Sequence, residues 1–108
     1  MNYKTEFPDF PDADVPPVFL AAPWTDHSWH NDACPSFVRV IPNGDGKEVH
    51  VFVDYADIKL REYFEGVPRF VVFTTNNEGS LDDNPSLATN SLVAVLDQVG
   101  FLCGEVSR

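Results

Sequence analysis

"SFVRVIPNGDGKEVHVFVDY", residues 36–55, decides how this chain is read. Its second half alternates strictly: Val49, Val51, Val53 and Tyr55 fall on one side of an extended backbone, and Glu48, His50, Phe52 and Asp54 on the other. That two-residue period is the mark of a strand with one buried face. "SFVRVIP", residues 36–42, has the composition of a partner strand. "NGDG", residues 43–46, lies between the two and supplies Asn-Gly and Asp-Gly, which favour the positive φ of a tight turn. The stretch predicts an antiparallel hairpin with the valine row turned inward.

Working outward toward the C-terminus, residues 56–68 suit either a strand, through Ile58, Leu60 and Phe64, or a helical turn, through Leu60 and Phe64. Gly66 and Pro68 end either one. "RFVVFTT", residues 69–75, is β-branched and aromatic without a breaker and predicts a further strand. Residues 76–84 form a polar loop. Asn84 then offers an N-cap with Pro85 at the first helical position. Ala88, Leu92, Val95, Leu96 and Val99 recur at three- and four-residue steps, so a helix is predicted over 85–99, closed by Gly100. Its stripe predicts that a charge at Leu92 or Leu96 unfolds the domain. The last eight residues read as an edge strand or a docked tail.

Toward the N-terminus, six of the nine prolines fall within residues 1–35. Each restrains its own φ and biases the preceding residue away from the helical region. Large apolar groups (Phe7, Phe10, Val15, Val18, Phe19, Leu20, Trp24 and Trp29) are interleaved with them. A solvated linker would not carry so many. The expectation is an extended, partly polyproline-like arm over residues 1–35, laid on a body of residues 36–108 as one domain. Phe7 and Phe10 docking onto a partner is the alternative. The fold class is α+β: an antiparallel sheet of three to four strands with one C-terminal helix packed on a face.

With 108 residues the chain is one domain, and its fourteen aromatic side chains (nine Phe, three Tyr, two Trp) are ample for one core. Seventeen acids against seven bases give a net charge of −10. Direct nucleic-acid binding and anionic membrane surfaces are disfavoured, since both require cations. No apolar run approaches a membrane span, and no basic-then-apolar leader pattern stands at the N-terminus. Cys34 and Cys103 are too few for a disulfide framework, so a cytoplasmic location with free thiols is expected. No cofactor-binding motif is present.

"WTDHSWHNDACPSF", residues 24–37, concentrates the chemistry-bearing residues. His27, His30, Asp32 and Cys34 have zinc-compatible donor types, but the second ligand pair that structural zinc sites gather from another segment is missing. Cys34 precedes a proline and a strand, not a helix N-terminus that would activate a thiol. The stretch is therefore read as a structural corner, with Trp24, Trp29 and Phe37 as core anchors and Ser28, Asn31 and Asp32 as turn residues. A small metal-binding protein or enzyme centred on His27, His30, Asp32 and Cys34 is the alternative function.

"SWHNDACPSF" with "VDYAD", Arg61-Glu62 and Arg69-Phe70 resembles a family of short bacterial and phage-encoded proteins over roughly residues 24–73. The resemblance implies a mobile-element origin and carries over no activity and no catalytic residues. Together with the charge, it points to a small acidic interaction protein that binds a basic protein surface in the manner of a phage-type inhibitor, anti-CRISPR or anti-restriction. Its expected binding surface is Asp9, Asp12, Asp14, Asp54, Asp57, Glu62, Glu65, Asp82 and Asp83, spaced to mimic nucleic-acid phosphates. Exposed sheet edges make a homodimer a further expected state.

Overall fold

The structure is a computed structural model that describes residues 2–62, 66–76 and 78–105. The hairpin forms as its sequence requires. β2 (Ser36–Val40) and β3 (Glu48–Val53) pair antiparallel, with Phe37 opposite Val51 and Arg39 opposite Val49. The turn between them holds Asn43, Asp45 and Gly46 at positive φ. Gly44 is required there for room, because a Cβ on it would lie 2.9 Å from the Ile41 Cβ.

β4 (Phe70–Thr74) adds to β3, so the unbroken apolar run is a strand as predicted. The sheet then extends beyond the expected three to four strands. β1 (Thr25–Asp26) pairs with β2, and β5 (Leu87–Thr89) pairs with β4, giving one five-stranded antiparallel sheet in the order β1-β2-β3-β4-β5.

β5 occupies the first turn and a half of the predicted helix. The free N–H and C=O groups of β4 bind Leu87–Thr89, and that ladder overrides the local helical period. The C-terminal helix α2 therefore spans Leu92–Leu102, with Ser91 rather than Asn84 as its N-cap, the Ser91 hydroxyl accepting from Ala94 N–H at 3.1 Å. Its end also shifts. Gly100 is inside the helix, and Gly104, at φ +73°, is the left-handed residue after the cap. There Gly104 N–H donates to Phe101 O and Glu105 N–H to Gly100 O, which satisfies two orphan carbonyls. The helix presents Val95 and Val99 to the core, whereas Leu96 stays 37% exposed and Leu92 is half-buried.

The N-terminal segment is not an extended arm. It runs as short helical turns: α1 (Tyr3–Glu6), then 3-10 turns at Asp12–Asp14 and Pro17–Leu20. Proline at the first position of a turn is compatible with this, because its missing N–H would have no partner there. The turns set Tyr3, Phe10, Val15, Phe19 and Trp24 into the core. Residues 56–62 form no strand; a 3-10 turn at Ile58–Leu60 follows Asp57, whose side chain caps Lys59 N–H. Arg61 closes this loop by donating from Nε to Tyr55 O at 2.8 Å and from Nη1 to Val67 O at 2.9 Å.

In antiparallel pairs, residues directly opposite share a face. One face of the sheet therefore carries Phe37, Val49, Val51, Val53, Phe70 and Val72, all essentially inaccessible. The N-terminal turns and α2 both seal this face, with Val95, Val99 and Cys103 completing one cluster. Burial of each large side chain here contributes about 1.5–3 kcal/mol. Arg39 straps the helix end to the sheet through a two-pronged pair with Glu105 at 3.2 and 3.0 Å. Among the described residues no helix is long and apolar enough to cross a membrane.

Candidate functional site

With both covering elements on one side, the opposite face of the sheet is closed only in part. It carries Ser36, Val38, His50, Phe52, Val71, Phe73 and Ala88. Residues 27–34 cross the β2 side of it. They are pinned by Ser28, which is fully buried: its hydroxyl accepts from Ser36 N–H at 3.2 Å, while Ser36 Oγ donates to His27 O at 3.1 Å. The rest of the face is an apolar groove of about 390 Å³. Phe52, Val71 and Phe73 form its floor, Ala33 and Cys34 one wall, and Val67 and Pro68 the other. Phe52 and Phe73 meet edge to face, with ring centroids 5.8 Å apart. These three floor residues are half-buried, in contrast to the sealed row behind them.

Asp32 and Asp54 stand at the groove. Asp54 is 7% exposed and its Oδ1 accepts from Tyr55 N–H at 2.8 Å. Burial pushes the carboxyl pKa of both residues above the ordinary aspartate value. Arg69 also lines the groove, but its guanidinium is drawn away from it. Nη2 donates to Asp14 O at 2.6 Å, Nε donates to Asp54 O at 3.3 Å, and the head lies 4.8 Å from the centre of the Phe70 ring, on the sealed side.

The opening residues of the metal and enzyme alternative do not converge. His30 Nδ1 lies 3.0 Å from Glu6 Oε1 on the N-terminal turn, and that contact holds the Glu6 carboxyl below its usual pKa. His27 instead lies against the edge of His50, 5.6 Å between centroids. The Cys34 thiol is buried, and burial together with Asp54, Asp32 and Glu62 drives its pKa far up, so the sulfur stays protonated and weakly nucleophilic. Among the described residues no group of three or more His, Cys, Asp and Glu side chains is placed to hold a metal ion.

The three anchors separate as well. Phe37 is completely buried and stacks on Phe19 at 5.6 Å; Trp24 packs edge-on to Phe19 at 4.9 Å. Trp29 is 41% exposed and lies tilted against the His30 ring at 4.2 Å, so it is a surface residue and not a seal on the core. A tight turn follows it, closed by Asp32 N–H donating to Trp29 O at 2.9 Å.

The nine acids expected to share a surface fall into separate places. Asp54 follows β3 directly, Asp32 lines the same groove, Asp14 accepts from Ala56 N–H and Asp9 adjoins Phe10, which packs on Tyr55, so these acids lie toward the C-terminal end of β3. Asp57 follows in the next turn. Asp82 lies at the other end of the sheet, accepting from the Thr74 hydroxyl at 2.7 Å, with Asp83 beside it. Several have local structural partners: Asp12 accepts from the Tyr3 hydroxyl, Asp14 from Ala56 N–H and Asp57 from Lys59 N–H. Glu65 lies outside the described residues.

The groove floor was absent from the residues singled out by sequence. Its signal was present, though. "RFVVF" is apolar on consecutive residues, the pattern of a strand covered on both faces, and Phe52 interrupts the polar row of β3. No known protein family, curated protein or solved structure matches this chain.

Proposed function

We propose that the protein is a small acidic interaction module that binds a basic protein surface. The observation that carries this reading is the surplus of negative charge: seventeen acids stand against seven bases, and of the cations Arg39 is paired with Glu105. Arg61 and Arg69 donate to the backbone carbonyls of Tyr55, Ala56, Val67, Asp54 and Asp14, and their two charges stand among Asp9, Asp14, Asp54, Asp57 and Glu62, which outnumber them at that end of the sheet. Clustered uncompensated charge of one sign raises the association rate with a partner of the other sign. In its finer form, the module is a phage-type inhibitor whose carboxylates take the place that a basic cleft reserves for nucleic-acid phosphates.

The test is capture of partners on the immobilised protein at low ionic strength, followed by elution with rising salt and, separately, with duplex DNA. A partner released steeply by salt and displaced by DNA supports the reading. Retention unchanged from low to high salt overturns it. A variant carrying Asn at Asp9, Asp14 and Asp57 should release the same partner at lower salt.

A further inference from the structure

We infer that the groove over Phe52, Val71 and Phe73 is the docking site for a basic peptide segment of a protein partner, one that places an aliphatic side chain on the groove floor and an arginine or lysine head between Asp32 and Asp54. This rests on the acidic-module reading and gives it a location. Three features favour this occupant. An antiparallel sheet with one face sealed ordinarily presents polar side chains on the other, yet here the uncovered face offers Phe52, Val71 and Phe73, half-buried around open space. A patch of this kind marks an interaction site.

The carboxylates at the groove set the sign of the occupant. Asp32 and Asp54 stand at its edge, with Glu62 near enough to act on Cys34, and the one cation among the described lining residues, Arg69, is turned toward Asp14 on the sealed side. An apolar floor with an acidic edge matches an amphipathic basic side chain, whose stem packs on aromatic rings while its head keeps to the carboxylates. A second copy of this chain is disfavoured, because face-to-face pairing would oppose Asp32 and Asp54 to the same carboxylates. The volume, about 390 Å³, suits a few side chains and not a helix.

The experiment titrates the isotope-labelled protein by NMR with capped pentapeptides, acetyl-Arg-Leu-Arg-Leu-Arg-amide and its glutamate and serine counterparts. Amide shifts confined to residues 32–34, 52–54 and 67–73 with the arginine peptide, and absent with the glutamate peptide, support the inference. Val71→Arg fills the groove with its own cation and should weaken binding at least about tenfold. Asp54→Asn with Asp32→Asn keeps the shape and should weaken it about threefold to tenfold, whereas Asp82→Asn with Asp83→Asn at the far end should leave it unchanged.

If binding survives Val71→Arg in a protein that still melts cooperatively but falls with the Asp82 and Asp83 changes, the groove is not the site, while the acidic-module reading stands. If no basic peptide binds at low salt, both fall. Equal binding of the glutamate peptide, or groove shifts that appear on concentrating the protein alone, assigns the face to a neutral ligand or to a second copy and overturns the proposal.

Discussion

The same three strands build two unlike faces. On one, Phe37, Val51, Val53, Phe70 and Val72 are wholly withdrawn from water beneath the N-terminal turns and α2. On the other, Val38, His50, Phe52, Val71 and Phe73 are covered, among the described residues, where residues 27–34 cross them. Backbone pairing is identical for both, since each register pair alternates between them. The difference therefore lies in what the rest of the chain lays on top. A strand pattern states which side chains share a face, and the connections decide which face becomes core.

The sharpest way to break the comparison is to place a charged side chain on each face. Val51→Asp buries an unpaired charge in the sealed layer and should cost more than about 4 kcal/mol, read as loss of the cooperative denaturation transition. Val95→Ala leaves a cavity where α2 meets the sheet and should lower stability by about 2 kcal/mol in chemical denaturation. Leu96→Asp, one residue on, should be close to neutral because that side chain faces solvent in part. On the open face, Val71→Arg should change stability by less than about 1 kcal/mol while weakening peptide binding at least about tenfold. If Val71→Arg proved as destabilising as Val51→Asp, the two faces would be equally sealed and the groove would not exist.

Two smaller effects sharpen the contrast through pH. Burial lowers the His50 pKa, with Glu48 opposing, so the fold favours the neutral ring. The stability this represents is complete above the ordinary imidazole value of 6.5 and is lost as pH falls from there toward the lowered value. His50→Gln should therefore lose less Tm between about pH 7.5 and 5 than the wild type does. Asp54 has the opposite sign. Burial raises its carboxyl pKa, so its contribution is favourable below the ordinary carboxylate range and disappears as pH rises through the raised value. Asp54→Asn should melt slightly higher at neutral pH, by less than about 1 kcal/mol in stability, with the advantage vanishing below about pH 4. A carboxylate that weakens the fold and strengthens binding has a functional signature; a purely structural one would melt lower on replacement.

Much of the fold was legible because short-range physics governs it. The hairpin, the β4 strand and the existence of a C-terminal helix follow from alternation, turn chemistry and a periodic apolar stripe. Even the helix stop followed the glycine rule, displaced by one turn from Gly100 to Gly104. Residues 85–89 were misread because a three-residue strand is defined by the unpaired edge of β4, which no local window contains. The candidate site was less legible. Aspartates spread along the sequence gave no indication of which end of the sheet each would occupy, and nothing local to Phe52, Val71 and Phe73 showed whether a covering element would lie on their face.

Taken alone, the sequence determined the side-chain alternation, the turns and the surplus of negative charge, since each depends on residues within a few positions of one another. Tertiary structure alone decided that both covering elements settle on the valine face, that Arg61 and Arg69 turn to backbone carbonyls, and that the phenylalanine face stays open. Those outcomes depend on groups tens of residues apart competing for the same buried surface, and that competition is resolved only when the whole chain has packed.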